Sequence, residues 1–345
     1  MFAITKTDPS PGVSTGDVPK PTAGPGEVVI KVAASSICGT DLGLAFDWPR
    51  HSATWGSPLP MVLGHECSGF VVDAADDVDI PEGQLVVVET HIFCGECVAC
   101  RNDAAHNCLN MQIPGVSRDG IWAEYAVIPE RALYRVAPGV SPEHAALYEA
   151  AGVAMHATQR AGDVDGKVVA VSGAGPVGLF LIAMLKAQGA GDVLVLEPGE
   201  SRRTMAEQLG ATAFDLREKD DFIALARERG VIAGADLAFE VSGAPSAYET
   251  LFDTLGKEST LVSIGHTSQP IPVNISRDVN LRVINWKGTF GRHIWSSWDR
   301  VDELVRSGKL DLQQFVGLEA RLDEIPTILG DAGSVPGKVV VQHAA

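Results

Sequence analysis

The chain has 345 residues, with 27 Lys+Arg against 44 Asp+Glu and a formal net charge of −17. Hydrophobic residues make up 46% and charged residues 21%, a globular balance that excludes a disordered chain. The acidic surplus argues against nucleic acid or an anionic membrane surface as partner, since both select for basic patches.

Domains of about 100–200 residues are the norm, so two domains are expected. Residues 1–6 read as a short strand, followed by Pro9 and Pro11, and resemble no signal peptide. Valine-rich runs at 27–32, 69–72 and 84–88 alternate with Gly/Pro turns, which predicts a compact β-barrel-like domain. The pattern changes near residue 155. Strands are expected over 167–172, 192–196, 235–240 and 260–264, with helices over 177–188, 201–209 and 246–255. That alternation is the sequence form of a doubly wound parallel sheet. Residues 296–307 read as a further helix. Residues 337–341 read as a strand that returns to the first domain, because the sheet is already complete. Residues 168–185 carry no charge, near the lower limit for a membrane span, but four glycine or proline positions interrupt them. A buried strand, turn and helix are expected there, and no membrane.

The nucleotide signal is Gly173-Ala174-Gly175-Pro176-Val177-Gly178, a G-x-G-x-x-G between a strand and a helix. Its glycines let the backbone approach a pyrophosphate at the helix N-terminus. Nineteen residues after Gly178 comes Glu197. A carboxylate there accepts hydrogen bonds from the adenine-ribose hydroxyls and repels a 2′-phosphate, so NAD is favoured over NADP. Arg202 lies five residues further on, over the adenine, and keeps NADP open.

The six cysteines are Cys38, Cys67, Cys94, Cys97, Cys100 and Cys108. Clustered thiols without a secretory signal point to a reducing cytoplasm and to metal rather than disulfides. Cys94-x2-Cys97-x2-Cys100-x7-Cys108 suits a closed tetrahedral zinc. A redox pair and an iron–sulfur cluster are the competing readings. A second set is weaker. Cys38, in Cys38-Gly39-Thr40-Asp41, and His65, in Gly64-His65-Glu66, would with a carboxylate give the mixed donors of a catalytic zinc; an ordinary hydrogen-bonded histidine is the alternative. Glu149 stands in an apolar stretch, as a ligand, a neighbour of the metal, or an exposed helix acid.

These motifs, in this order, resemble the zinc-dependent medium-chain dehydrogenase/reductase superfamily. The resemblance rests on C-G-T-D at 38–41, G-H-E-x-x-G at 64–69, the four-cysteine lobe and the glycine turn. Within it, the stretches 89–94, 240–245 and 287–292, followed by Trp298, are most similar to the L-threonine 3-dehydrogenases. The resemblance implies an α/β chain with a GroES-like β-rich catalytic domain over 1–155 and 296–345, split around a Rossmann NAD-binding domain over 156–295. It implies a catalytic zinc at Cys38, His65 and Glu66, with Glu149 completing or neighbouring it. A structural zinc at Cys94, Cys97, Cys100 and Cys108 makes two per chain. NAD contacts fall to Val177, Glu197 and Arg202, to Ile264, Gly265 and His266, and to Thr289 and Phe290. A cytoplasmic homotetramer acting on a small-molecule alcohol follows from the same resemblance.

The implied chemistry is oxidation of a secondary alcohol to a ketone. Zinc lowers the pKa of the substrate hydroxyl, NAD takes the hydride, and Thr40 passes the proton on. His91, just before the cysteine lobe, either lines the substrate side or packs a strand end. One departure touches the substrate. Two residues after Asp41, where the resemblance implies a proton-relaying histidine, stands Gly43, and the stretch 46–59 is slightly longer. His51 in that stretch either replaces the relay or is a solvated loop histidine. The expected substrate is a 3-hydroxy amino acid like L-threonine; the alternatives are a polyol, sugar or other secondary alcohol. A non-catalytic NAD(H)-binding protein is the rival from another class, and the Cys38, His65 and Glu66 set argues against it.

Overall fold

The structure is a computed structural model, and it describes residues 1–267 and 269–343. The chain forms two compact units. One comprises Met1–Glu149 and Leu312–Ala345, the other Ala150–Asp311.

The first unit is built on the strand Glu27–Ser36, whose β-branched Val28, Val29, Ile30 and Val32 suit a pleated, buried surface. One edge of this strand pairs antiparallel with Glu66–Ala74. The other edge is shared by Tyr125–Pro129 and by Lys338–Gln342 near the end of the chain. The returning tail expected from 337–341 is thus observed. The register places Ser36 between Glu66 on one side and Val340 on the other. Leu85–Val88 and Leu133–Arg135 extend the sheet beyond Glu66–Ala74. Ile30, Val32, Val86, Val88 and Trp122 fill the core beneath it.

In the second unit, six parallel strands of the described residues form one sheet. Their order is Thr212–Phe214, Val193–Leu196, Val169–Ser172, Ala235–Glu240, Leu255–Ser263 and Asn285–Gly288. Parallel strands are covered on both faces, so their central members read as unbroken apolar runs; Val169–Ser172 and Val193–Leu196 are buried throughout. The helix Pro176–Ala187 buries Leu179, Phe180, Leu181, Ile182, Met184 and Leu185. This strand and helix account for the uncharged stretch. Among the described residues, no helix is long and apolar enough to cross a membrane.

Two features differ from expectation. The units divide at 149/150 and 311/312, not at 155/156 and 295/296. Helix Ser296–Arg306 belongs with the nucleotide-type sheet, because Ser297 Oγ donates to Gln159 Oε1 at 2.7 Å and Trp298 is fully buried there beside Arg292. The stretch 46–59, read as a loop, contains the helix Trp48–Trp55, with Pro49 in its first turn and Gly56 as its left-handed cap.

Candidate functional site

Strand Glu27–Ser36 delivers Cys38 to the N-cap of the helix Gly39–Phe46. Its neighbour Glu66–Ala74 begins at Glu66, immediately after His65. The antiparallel register therefore brings the two motifs together. Cys38 Sγ, one ring nitrogen of His65 and one carboxylate oxygen of Glu66 lie within 4.8 Å of one another. Asp41, one turn into the helix, holds both partners. Its Oδ1 lies 2.8 Å from His65 Nδ1, and its Oδ2 accepts the Cys38 N–H at 2.9 Å. With Nδ1 engaged, Nε2 is the ring nitrogen left for a metal, the arrangement that metal-binding histidines use. Sulfur, imidazole and carboxylate converging in this way fit Zn²⁺.

The electrostatics are those of a closed site. Burial pushes the His65 imidazole down, but the Asp41 charge and hydrogen bond outweigh it and hold the ring well above the usual histidine range. Burial pushes the Glu66 carboxyl up, and the Lys338 ammonium outweighs that and keeps it lowered. Lys338 is pushed down by burial and lifted above its ordinary value by the Glu66 charge. Ser36 Oγ and Lys338 Nζ both donate to Glu66 Oε2. Lys338 Nζ also donates to the Ile37 carbonyl at 3.0 Å. Neither Lys338 nor the role of Asp41 was read from the sequence. A lysine heading a run of valines was the available signal for the first.

Thr40 is half-buried, its Oγ1 4.0 Å from Cys38 Sγ. Glu149 is buried, not an exposed helix acid, at the start of helix Tyr148–Ala161. It lies outside the three-residue group. Its Oε1 accepts from Thr90 Oγ1 at 3.1 Å. His91 is buried as well, with Nδ1 3.1 Å from the His106 carbonyl.

Cys94, Cys97, Cys100 and Cys108 bring all four sulfurs within 4.8 Å of one another. Three separations are 3.9 Å (Cys94–Cys100), 3.5 Å (Cys97–Cys100) and 3.9 Å (Cys97–Cys108). A disulfide needs about 2.0 Å. Four thiolates at about 2.3 Å from one zinc stand roughly 3.8 Å apart, so the geometry fits a single ion. Backbone N–H groups of Cys97, Leu109 and Asn110 point at the sulfurs at 3.3–3.5 Å. The N–H groups of Cys100 and Leu109 pull the Cys97 thiol down to about 6, whereas burial pushes Cys100 up to about 12. A dication removes the repulsion that otherwise stops four such thiols from ionising together.

In the second unit, the glycine turn follows strand Val169–Ser172 and opens helix Pro176–Ala187, with Gly175 at the N-cap and Pro176 in the first turn. Gly173 has φ +101°, and a Cβ on Gly178 would fall 2.3 Å from the Gly173 carbonyl oxygen. Only glycine fits at either position. Val177 is half-buried in the first helical turn. Glu197 immediately follows the next strand, Val193–Leu196, and is buried. Its Oε2 accepts the Ala174 N–H at 2.7 Å, and its Oε1 accepts the Gly199 N–H at 2.8 Å. Arg202 lies alongside Gly199. Arg203, not singled out from the sequence, donates to the Glu197 and Pro198 carbonyls and pairs with Asp215 at 3.1 Å.

Glu240 organises a third strand end. Its Oε1 accepts from Ser242 N–H, Ser242 Oγ and Gly243 N–H, and its backbone carbonyl accepts from Ile264 and Gly265. Gly265 is pressed so closely against Gly243 that a Cβ would fall 2.3 Å from its nitrogen. The Thr289 N–H donates to the Ser263 carbonyl at 3.0 Å. His266 is exposed and meets Phe290 edge-on at 6.2 Å.

Comparison with known proteins gives the same assignment to each unit. Residues 24–138 match the alcohol dehydrogenase GroES-like domain, and residues 176–307 match the zinc-binding dehydrogenase family. The chain is 38% identical to L-threonine 3-dehydrogenase of Pyrococcus abyssi over 317 residues, 92% of this chain and 90% of that protein. Among solved structures, 2R,3R-butanediol dehydrogenase from Bacillus subtilis superposes with a TM-score of 0.88 at 27% identity, over 99% of each chain. A protein described as a zinc-binding dehydrogenase, from Sinorhizobium meliloti 1021 with NADP bound, gives a TM-score of 0.87 at 28% identity, over 99% of this chain and 98% of that one. The chain belongs to the zinc-dependent medium-chain dehydrogenase/reductase superfamily and is an alcohol-oxidising member of it, similar to the L-threonine 3-dehydrogenases and acting on a small molecule with a nicotinamide cofactor.

Proposed function

We propose that the enzyme oxidises the 3-hydroxyl of a 3-hydroxy amino acid such as L-threonine to the ketone, using NAD⁺ and one catalytic zinc. The observation that carries this reading is the convergence of Cys38, His65 and Glu66, with His65 fixed by Asp41. Zinc bound there would supply a Lewis acid that makes the substrate hydroxyl a stronger acid. Cys38, His65 and Glu66 would hold the metal, and Asp41 would fix the imidazole. Thr40, beside Cys38, would accept the hydroxyl proton. Glu149 would act from behind Thr90 on the charge of the site. A structural zinc at the four cysteines would make two per chain. NAD is favoured over NADP because Glu197 closes the adenine-ribose end of the glycine turn with a negative charge. Gly175, Pro176, Val177, Arg202, Ile264, His266, Thr289 and Phe290 complete the proposed dinucleotide contacts.

The division into a split catalytic domain around a nucleotide domain belongs to the same reading. So does a homotetramer. Asn285–Gly288 is the outermost strand of its sheet among the described residues, and Leu281, Val283 and Ile275 just before it are 75%, 61% and 55% exposed. An unpaired edge beside apolar surface favours a second copy. Six unpaired cysteines favour a cytoplasmic location.

A diol, polyol or sugar alcohol is the second reading, favoured by Gly43, which alters the ground beside Thr40. The test is a panel of L-threonine, L-serine, 2,3-butanediol, sorbitol, inositols and simple alcohols with NAD⁺ and NADP⁺, alongside zinc analysis. The expected result is NAD⁺-linked turnover of L-threonine with two zinc ions per chain. Preference for a diol or polyol selects the second reading. One zinc per chain with no turnover overturns both.

A further inference from the structure

A cleft of about 600 Å³ opens within the first unit, and none of Cys38, His65 and Glu66 lines it. Its walls come from the proline-rich stretch 18–22, from Met61–Val62, from the turn 118–120 and from the strand Tyr125–Pro129. Small-molecule sites are clefts of about 300–1,000 Å³, mostly apolar, with a few placed polar groups. Pro19, Pro21, Pro60, Val62 and Val127 supply apolar surface here. The charged side chains of the lining are Lys20, Arg118 and Asp119. In a chain with 44 acidic against 27 basic residues, a cleft with two cations to one acid runs against the surplus.

We propose that this cleft binds a small carboxylate with an apolar body. Lys20 Nζ stands 3.8 Å above the centroid of the Tyr125 ring, and no described residue forms an ion pair or hydrogen bond with it. The ring holds the ammonium in place without neutralising it. Arg118 meets the same strand two residues on, where its Nη2 donates to the Val127 carbonyl at 3.4 Å. Strand rise makes that an advance of about 7 Å. One carboxylate, accepting from both cations at about 2.7–2.9 Å each, spans such a gap. The guanidinium is loosely engaged. Its other contacts are Gln112 Oε1 at 3.4 Å and Glu27 Oε1 at 3.7 Å, both longer than a good charge-assisted bond. Donors therefore remain for an anion, and an anion between two like charges relieves their repulsion.

The floor is fixed before a ligand arrives. Asp119 Oδ1 accepts the Val62 N–H at 3.0 Å, which engages the one acid of the lining. The Gly120 N–H donates to the Val62 carbonyl at 2.9 Å, and the Gly115 N–H to the Arg118 carbonyl at 2.8 Å. Three prolines stiffen the rim. A preset site loses little freedom on binding. An inorganic anion would leave the proline and valine wall in water, whereas a ring or branched chain beside the carboxylate covers it. Occupancy needs no turnover, so the proposal stands apart from the reaction proposed above.

The test is a saturation-transfer NMR titration of the full-length, zinc-loaded protein with benzoate, and with benzamide as the uncharged analogue. Benzoate is expected to bind about tenfold more tightly than benzamide, because hydrogen bonds to a charged group are the stronger ones. Lys20→Gln and Arg118→Gln should each weaken benzoate by about tenfold and leave benzamide unchanged. Lys20 is exposed, so Lys20→Gln should unfold at the wild-type midpoint. Arg118→Lys keeps the charge but not the planar fork, and should fall between wild type and Arg118→Gln. Cys38→Ala disturbs the other place where a carboxylate would sit, the proposed metal, and should bind benzoate as wild type does.

A wild type that takes up no benzoate at about 10 mM, where a Kd of 1 mM would nearly saturate it, overturns the proposal. So does benzamide binding as tightly as benzoate, and so does benzoate affinity that both glutamine variants leave intact. Binding lost in Cys38→Ala but kept in Lys20→Gln assigns benzoate to the metal and overturns it as well. A wild-type enzyme inactive on every alcohol overturns the function reading alone, since benzoate binding is read without turnover.

Discussion

Lys338 Nζ donates to Glu66 Oε2 in a closed interior where the two side chains are 2% and 1% exposed. Ser36 explains how they meet, since its strand pairs with Glu66 on one edge and with the chain's final strand on the other. Breaking a buried pair by removing one partner leaves an uncompensated charge and costs about 3–5 kcal/mol. Lys338→Ala is expected to lose that much stability in urea unfolding of chelator-treated protein. Lys338→Met with Glu66→Gln should lose far less, because no unpaired charge remains. Added Zn²⁺ should narrow the gap for the single variant, as the cation takes over the charge of the ammonium. Equal losses in the single and double variants would show that packing, not charge, sets the cost.

Asp41 touches neither substrate nor cofactor in this reading, yet it fixes His65 by its Oδ1 and the Cys38 backbone by its Oδ2. Partners behind a metal ligand are worth about 10–100-fold in metal affinity. Asp41→Ala is expected to release one zinc per chain to a competing chelator that much more readily, while the zinc of the four-cysteine lobe stays. Retention of both ions at wild-type affinity would remove Asp41 from the metal centre.

The sequence disclosed features held in local order and hid those set by distant register. The glycine turn and the four cysteines each lie within fifteen residues, so spacing alone revealed them. Strands and helices with long apolar runs were also legible: Ala235–Glu240 was read to the residue, and Pro176–Ala187 within one residue at each end. Thr212–Phe214 and Asn285–Gly288 were not, being three- and four-residue strands that exist because a neighbouring strand pairs with them. Helix Trp48–Trp55 is hidden because Trp48 is its one buried side chain, so it shows no repeating apolar face. The Lys338–Glu66 pair spans 272 positions, and no local pattern encodes it.

Glu197 does two jobs in the nucleotide half of this reading. Its carboxylate already accepts the Ala174 and Gly199 N–H groups, and it stands where ribose hydroxyls would bind. Hydrogen bonds to a charged group contribute about 1.5–3 kcal/mol each. Glu197→Ser is therefore expected to weaken both dinucleotides by loosening the turn. It should weaken NAD⁺ more, because the repulsion that excludes a 2′-phosphate disappears. The measurement is the ratio of kcat/KM for NAD⁺ to that for NADP⁺, which should fall by about tenfold or more. An unchanged ratio would remove Glu197 from cofactor selection.

His343 gives the first unit a defined pH response. Its Nε2 lies 2.9 Å from Ser35 Oγ, its Nδ1 lies 3.1 Å from the Ala123 carbonyl, and burial pushes its pKa down to about 4. The carbonyl can only accept, so Nδ1 carries the proton, and the Ser35 hydroxyl donates to Nε2. That is the neutral imidazole, and protonation would oblige Ser35 to turn. In the unfolded chain the ring titrates near its ordinary value of about 6.5. Above that value both states are neutral, and the stabilising contribution is complete. Between about 6.5 and 4 the unfolded chain binds the extra proton and the folded one does not, so stability falls as pH falls. The slope is about 1.4 kcal/mol per pH unit, and the loss across the window is about 3 kcal/mol. His343→Gln removes the titrating group. Its urea-unfolding free energy should lie furthest below wild type near neutral pH, and the gap should close by about 2 kcal/mol near pH 5. A gap that stays constant over that range would mean that His343 does not titrate differently in the folded and unfolded chains.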